Sequence, residues 1–195
     1  MSRILRDRLA RLEHQRADLL ADLARLSQRQ LEYRPDPSSW SIAAVIDHLA
    51  ATEEAVVSMG ERIRAGGAGE VAGIEAAAGV RRRRGVRGLL RRWYRRTLVS
   101  GVLATGFRVP MPRRVIEMVG TPNPSTAAEA VARWEAARAR LAGYVATLGP
   151  ADERRPLFHH PVAGWFDHRR GLTFVQRHIR HHTRQVKRIR KAGGF

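Results

Sequence analysis

Apolar side chains recur along this chain at helical spacing in four stretches. Between residues 2 and 28, Leu5, Leu9, Leu12, Leu19, Leu23 and Leu26 follow one another at steps of three, four or seven, which gathers them on one helical stripe. The run Arg34-Pro35-Asp36-Pro37-Ser38-Ser39 breaks that pattern. A second helix is expected from Trp40-Ser41 to about Arg64, with Ile42, Val45, Ile46, Leu49, Val56 and Ile63 as its apolar face. Ser41 suits its N-cap, but Ala44 cannot complete a reciprocal capping box. A third helix starts at the capping box Thr126-x-x-Glu129, carries Ala130, Trp134, Leu141, Val145 and Leu148 inward, and stops at Gly149-Pro150. Asp167 caps a last helix that reaches about Lys191. Strand signals are nearly absent, and no alternating run is joined by an Asn-Gly or Asp-Gly turn.

Four long helices predict a single all-α domain over residues 1–195, a four-helix bundle with one long excursion, residues 65–124, between its second and third helices. The Gly/Ala-rich stretch from Gly66 to Gly79 reads as a loose loop. Within the excursion, Arg81 to Arg96 holds nine arginines in 16 positions, with Val86, Leu89, Leu90 and Trp93 spaced as on an amphipathic helix.

Thirty-six Lys and Arg residues stand against 18 Asp and Glu, a formal net charge of +18. Such a balance suits a polyanionic partner. The strongest candidates for that contact are Arg81, Arg82, Arg83, Arg84, Arg91, Arg92, Arg95 and Arg96, facing either nucleic acid or an anionic membrane surface. Arginine-rich codon usage would produce the same excess with no partner. There is no cysteine, which excludes disulfides, thiolate metal sites and a cysteine nucleophile. The charged N-terminus MSRILRDRL lacks the apolar core of a secretory leader, so a cytoplasmic protein is expected.

The last helix carries the chemistry. On a wheel of about 100° per residue, Leu172, Val175, Ile179, Val186 and Ile189 share one face, and His178 and His182 fall within it. Arg177, Arg180, Arg184, Lys187 and Arg188 lie opposite, and His181 is expected in solvent beside them. Two imidazoles four residues apart sit one turn apart and can share one ion. As core histidines without an ion they would leave several ring nitrogens needing partners. A third ligand would come from elsewhere. His48, on the flank of the second helix's apolar face, can turn inward; His14 is on the polar side of the first helix; His159 and His160 stay open as loop candidates. His168 lies about 15 Å along the axis from His178, too far to share its ion.

Trp40-Ser41-Ile42 followed by Asp47-His48-Leu49, then His178-x-x-x-His182-x-x-Gln185, resembles the DinB-like (DinB/YfiT) family of metal-binding four-helix bundles. His160-Pro161-Val162-Ala163-Gly164 is similar to that family's loop before the last helix, and Trp134 fits its third helix. The resemblance covers the chain outside residues 65–110. It implies that His48, His178 and His182 bind one divalent metal, commonly zinc or nickel. Characterised relatives include thiol-S-transferases using low-molecular-weight thiols and a mycothiol-dependent isomerase, and dimers are frequent, so a homodimer is expected.

Three neutral imidazoles leave a bound ion its full charge and an open position, the arrangement of a catalytic site. Such an ion lowers the pKa of a coordinated water or thiol. The expected activity is therefore transfer of a low-molecular-weight thiol to an electrophilic small molecule, or hydrolysis. The alternatives are a basic binding module without catalysis and a bundle that keeps its metal for stability alone. Glu53 and Gln185 are candidates to support the ligands or the pocket, with ordinary rim polarity as the competing reading.

Overall fold

The computed structural model describes residues 1–77, 126–160 and 164–195. Its helices are α1 (Arg3–Leu23), α2 (Gln28–Glu32), α3 (Ile42–Ala77), α4 (Ala127–Ala146) and α5 (His168–Gly193). A 3-10 turn, Pro150–Asp152, precedes an antiparallel hairpin of β1 (Pro156–His160) and β2 (Gly164–Asp167). The Arg81–Arg96 stretch lies outside the described residues.

Three helix starts follow the sequence signals. The Ser41 Oγ accepts from the Ala44 N–H at 3.1 Å. Thr126 and Glu129 close their box reciprocally, with bonds of 3.1 and 3.0 Å. Asp167 caps α5 through the Arg170 N–H at 2.7 Å. The core joins Leu5, Leu12, Leu19 and Leu23 of α1, Ile42, Val45, Ile46 and Leu49 of α3, Trp134 and Leu141 of α4, and Leu172, Val175, Ile179, Val186 and Ile189 of α5.

Among the described residues, helices α3 and α4 make the most extensive packing. Arg133 meets Asp47 and Glu54, Arg140 meets Glu61, and Arg64 meets Thr147, so the two helices run in the same direction. Parallel neighbours cannot be joined by a tight turn, which accounts for the long excursion between them in sequence.

Four expectations are corrected. The first helix ends at Leu23, and residues 28–32 form a separate turn of helix capped reciprocally by Ser27 and Gln30. The glycine-rich stretch after Arg64 is no loop as far as Ala77: α3 continues through it and bends at Gly67, whose φ of 55° and ψ of −136° are reached in practice only by glycine. His159 and His160 sit on a strand rather than in a loop. His181 is half-buried, its ring set edge-on to His182 at 5.0 Å.

Candidate metal centre

His48 reaches the bundle interior from the second turn of α3, and His178 and His182 reach it from α5. His48 and His182 are buried and His178 is partly open. The three Nε2 atoms converge: His48 to His178 at 3.2 Å, and His182 to His178 at 3.1 Å. Among the described residues this is the group of potential ligands able to hold one ion, with all ligand atoms within 4.8 Å of one another.

Proton accounting shows what the cluster lacks. The His182 Nδ1 lies 2.8 Å from the Gln185 Oε1, an acceptor, so Nδ1 carries the proton and Nε2 presents a lone pair. His178 Nε2 faces two other Nε2 atoms and can donate a proton to only one of them. The Nδ1 atoms of His48 and His178 are buried without hydrogen-bond partners. A cation at the point of convergence would resolve the crowding. Nitrogens held about 2.0–2.1 Å from one tetrahedral ion lie about 3.3 Å apart, close to the observed spacing.

Burial keeps the rings neutral. It pushes the His48 pKa down to about 4, with the Asp47 carboxylate opposing and His181 adding to the shift. It holds His178 and His182 well below the usual imidazole range, and the neighbouring imidazoles press in the same direction. Neutral imidazole is the form that binds metal.

Aromatic rings flank the cluster on two sides. Trp40 lies 4.9 Å from the His48 ring and stacks on His182 at 6.2 Å. Phe174 stacks on His178 at 5.7 Å and packs in turn against Phe166 and His160. In the sequence Trp40 marks the start of the second helix and part of the family motif; its place eight residues ahead of His48, just before α3, puts its ring on the imidazoles.

The other candidate ligands go elsewhere. His14 pairs with Asp18 on the surface. His168 is buried between the Tyr144 hydroxyl, at 2.8 Å from its Nε2, and the Arg155 carbonyl, at 3.1 Å from its Nδ1. His159 stands edge-on to Trp165, and His160 contacts Phe166 and Phe174. Glu53 is neither rim polarity nor a support for the imidazoles. Its carboxylate is buried and accepts from the Trp134 indole at 2.9 Å and from the Arg138 Nε at 2.8 Å. Gln185 lies beside the cluster, its Oε1 2.8 Å from the His182 Nδ1. Asp47 turns away to Arg133 at 2.7 Å.

Comparison with known proteins adds a family and a fold. A sequence model of the DinB superfamily matches residues 11–186. A solved structure described as that of YfiT from Bacillus subtilis, a probable metal-dependent hydrolase with an unusual four-helix bundle topology, is similar at a TM-score of 0.57. It shares 14% identity, with the match covering 100% of this chain and 91% of that one. No match was found among curated proteins. Among the described residues no helix is long and apolar enough to cross a membrane.

Proposed function

This chain belongs to the DinB superfamily, and on that premise we propose that it is a divalent-metal-dependent enzyme, most simply a hydrolase, acting on a small molecule. The convergence of three neutral imidazoles, with the His178 Nε2 3.1–3.2 Å from the other two and all three ligand atoms within 4.8 Å, carries the reading. The YfiT description supports hydrolysis over other uses of such a centre.

In this reading His48, His178 and His182 hold the ion, with zinc or nickel the metals that imidazole donors suit. A divalent ion there supplies Lewis acidity, lowering the pKa of a coordinated water or thiol and polarising a substrate carbonyl. The protein does the rest by placement. Gln185 fixes the His182 tautomer and ring plane, so the lone pair points at the site before any ion arrives. Trp40 and Phe174 shield the imidazoles from bulk water, which strengthens electrostatic contacts inside. The chain has no cysteine, so thiol transfer at this centre would need a low-molecular-weight thiol from outside.

The test is elemental analysis followed by turnover. Protein from metal-replete medium should carry about one zinc or nickel per chain. It should hydrolyse some member of an ester and amide panel faster than His48→Ala does. Failure to take up either metal overturns the reading. If hydrolysis is absent but thiol transfer to an electrophile exceeds the His48→Ala control, the centre stands and the reaction is transfer.

A further inference from the structure

Helix α5 has a second face that the metal centre leaves unused. At about 100° per residue, Arg177, Arg180, Arg184, Lys187, Arg188 and Lys191 fall within an arc of about 100° opposite the core. All six are exposed. They extend over about 21 Å of helix axis at 1.5 Å per residue. No Asp or Glu occurs in the 26 residues of α5. Its ion pairs with Glu153 and Asp167 are made by Arg169 and Arg170 in the first turn. Among the described residues, Arg180, Lys187, Arg188 and Lys191 make no ion pair.

The stripe continues at its N-terminal end onto α1. Arg8 hydrogen-bonds to Thr173, and its Nε is buried without a partner. Burial lowers the Arg8 pKa, and Arg169, Arg11 and Arg177 lower it further, with Asp167 opposing them. Cations gathered in this way repel one another, and a bound anion relieves the repulsion.

The partner follows from what the patch lacks. A helix that binds membranes at the interface inserts apolar residues below the headgroups. The apolar residues of α5 are committed to the core, and the large apolar side chains exposed among the described residues are Met1 and Ile4. A phosphodiester backbone asks only for cations at intervals along a line. Each strand of a duplex carries about six phosphates per 21 Å of helix axis, and a stripe of that length lies along the ones the backbone turns toward it.

We propose that the exposed cationic stripe of α5, continued by Arg8 and Arg11, is a sequence-independent binding surface for a nucleic-acid backbone. Its residues read charge rather than base edges. It lies on the opposite side of α5 from His178 and His182, so it stands or falls separately from the metal reading.

The test is fluorescence anisotropy of the full chain with a labelled duplex of about 20 base pairs and arbitrary sequence. Binding should appear at about 50 mM salt and weaken about 10³-fold by about 200 mM, as six phosphate contacts require. The triple variant Arg180→Glu, Lys187→Glu, Lys191→Glu should bind at least about tenfold more weakly at low salt. Its log–log salt slope should be shallower by about 3, while melting and metal content are unchanged. Glutamine at the same three positions, which removes charge without reversing it, should also weaken binding. No duplex binding at low salt overturns the proposal, as does wild-type affinity in both triple variants. Tighter binding to phosphatidylserine–phosphatidylcholine vesicles than to the duplex at equal salt overturns it in favour of a membrane.

Discussion

His48 and Glu53 stand five positions apart on α3, and both are buried, at 3% and 1% exposure. Their surroundings differ in one respect. Glu53 finds everything it needs within the protein: the Trp134 indole and the Arg138 guanidinium take both oxygens, and Glu13 lies 3.5 Å from Arg138 on the far side. His48 finds two more imidazoles and no donor for its own Nδ1. In the closed Glu53 cluster the one orphaned atom, the Arg138 Nη1, still faces the Glu13 carboxylate, whereas in the open cluster the imidazoles turn lone pairs toward a common point with no opposite charge beside them.

The comparison breaks most visibly at the closed cluster. Arg138→Met leaves the Glu53 carboxylate buried without its cation, and should cost about 3–5 kcal/mol in urea unfolding. Adding zinc or nickel should raise the wild type and the variant equally and leave the difference between them in place. A loss under about 1 kcal/mol would mean that Glu53 is rescued by water or protonation.

Acid should act on the open cluster. His48 and His160 are lowered from 6.5 to about 4, chiefly by burial. The unfolded chain therefore takes up protons below pH 6.5 while the folded chain does not. The stability these groups contribute is present above pH 6.5 and is lost as pH falls toward 4. For chelator-treated protein the expected loss approaches about 3 kcal/mol for His48 alone. A flat melting temperature between pH 7 and 4.5 would contradict the burial of these rings.

Metal should stabilise in a way that separates the two clusters. At 100 times the dissociation constant, bound ion adds about 2.7 kcal/mol to the wild-type chain. His48→Ala should abolish that increment, read as the difference in melting between metal-loaded and chelated protein. Gln185→Ala should keep the fold and weaken metal affinity about 10–100-fold by calorimetric titration. An unchanged affinity would reduce Gln185 to rim polarity after all.

The smallest effect belongs to another closed pair. Tyr144→Phe removes the hydroxyl from the buried His168 Nε2 and should cost about 1–2 kcal/mol without altering metal binding.

Much of this was legible in the sequence, for reasons that differ by residue. His178 and His182 stood out because α5 is strongly amphipathic, so two polar residues on its apolar stripe were conspicuous. His48 was harder, since it sits at the flank of a stripe and needed the family resemblance to be chosen over His159 and His160. The role of Glu53 could not be read, because its partner Arg138 is 85 residues away and only the parallel packing of α3 and α4 joins them. The hairpin was missed because Pro156–His160 and Gly164–Asp167 are short and carry no Asn-Gly or Asp-Gly turn. The helical continuation past Arg64 was missed because glycines signal loops more often than they signal one bend.

That bend ties a distant position to the imidazoles. Beyond Gly67, α3 is re-aimed so that the Glu75 carboxylate receives the Trp165 indole N–H at 3.1 Å, clasping the hairpin that feeds directly into α5. Nothing crowds Gly67, so an added methyl group would meet no neighbour and would act through backbone torsion alone. Straightening this elbow would swing Glu75 off the hairpin and slacken the footing from which two of the three imidazoles are presented. A substitution at Gly67 would therefore reach the imidazoles from a residue that touches none of them.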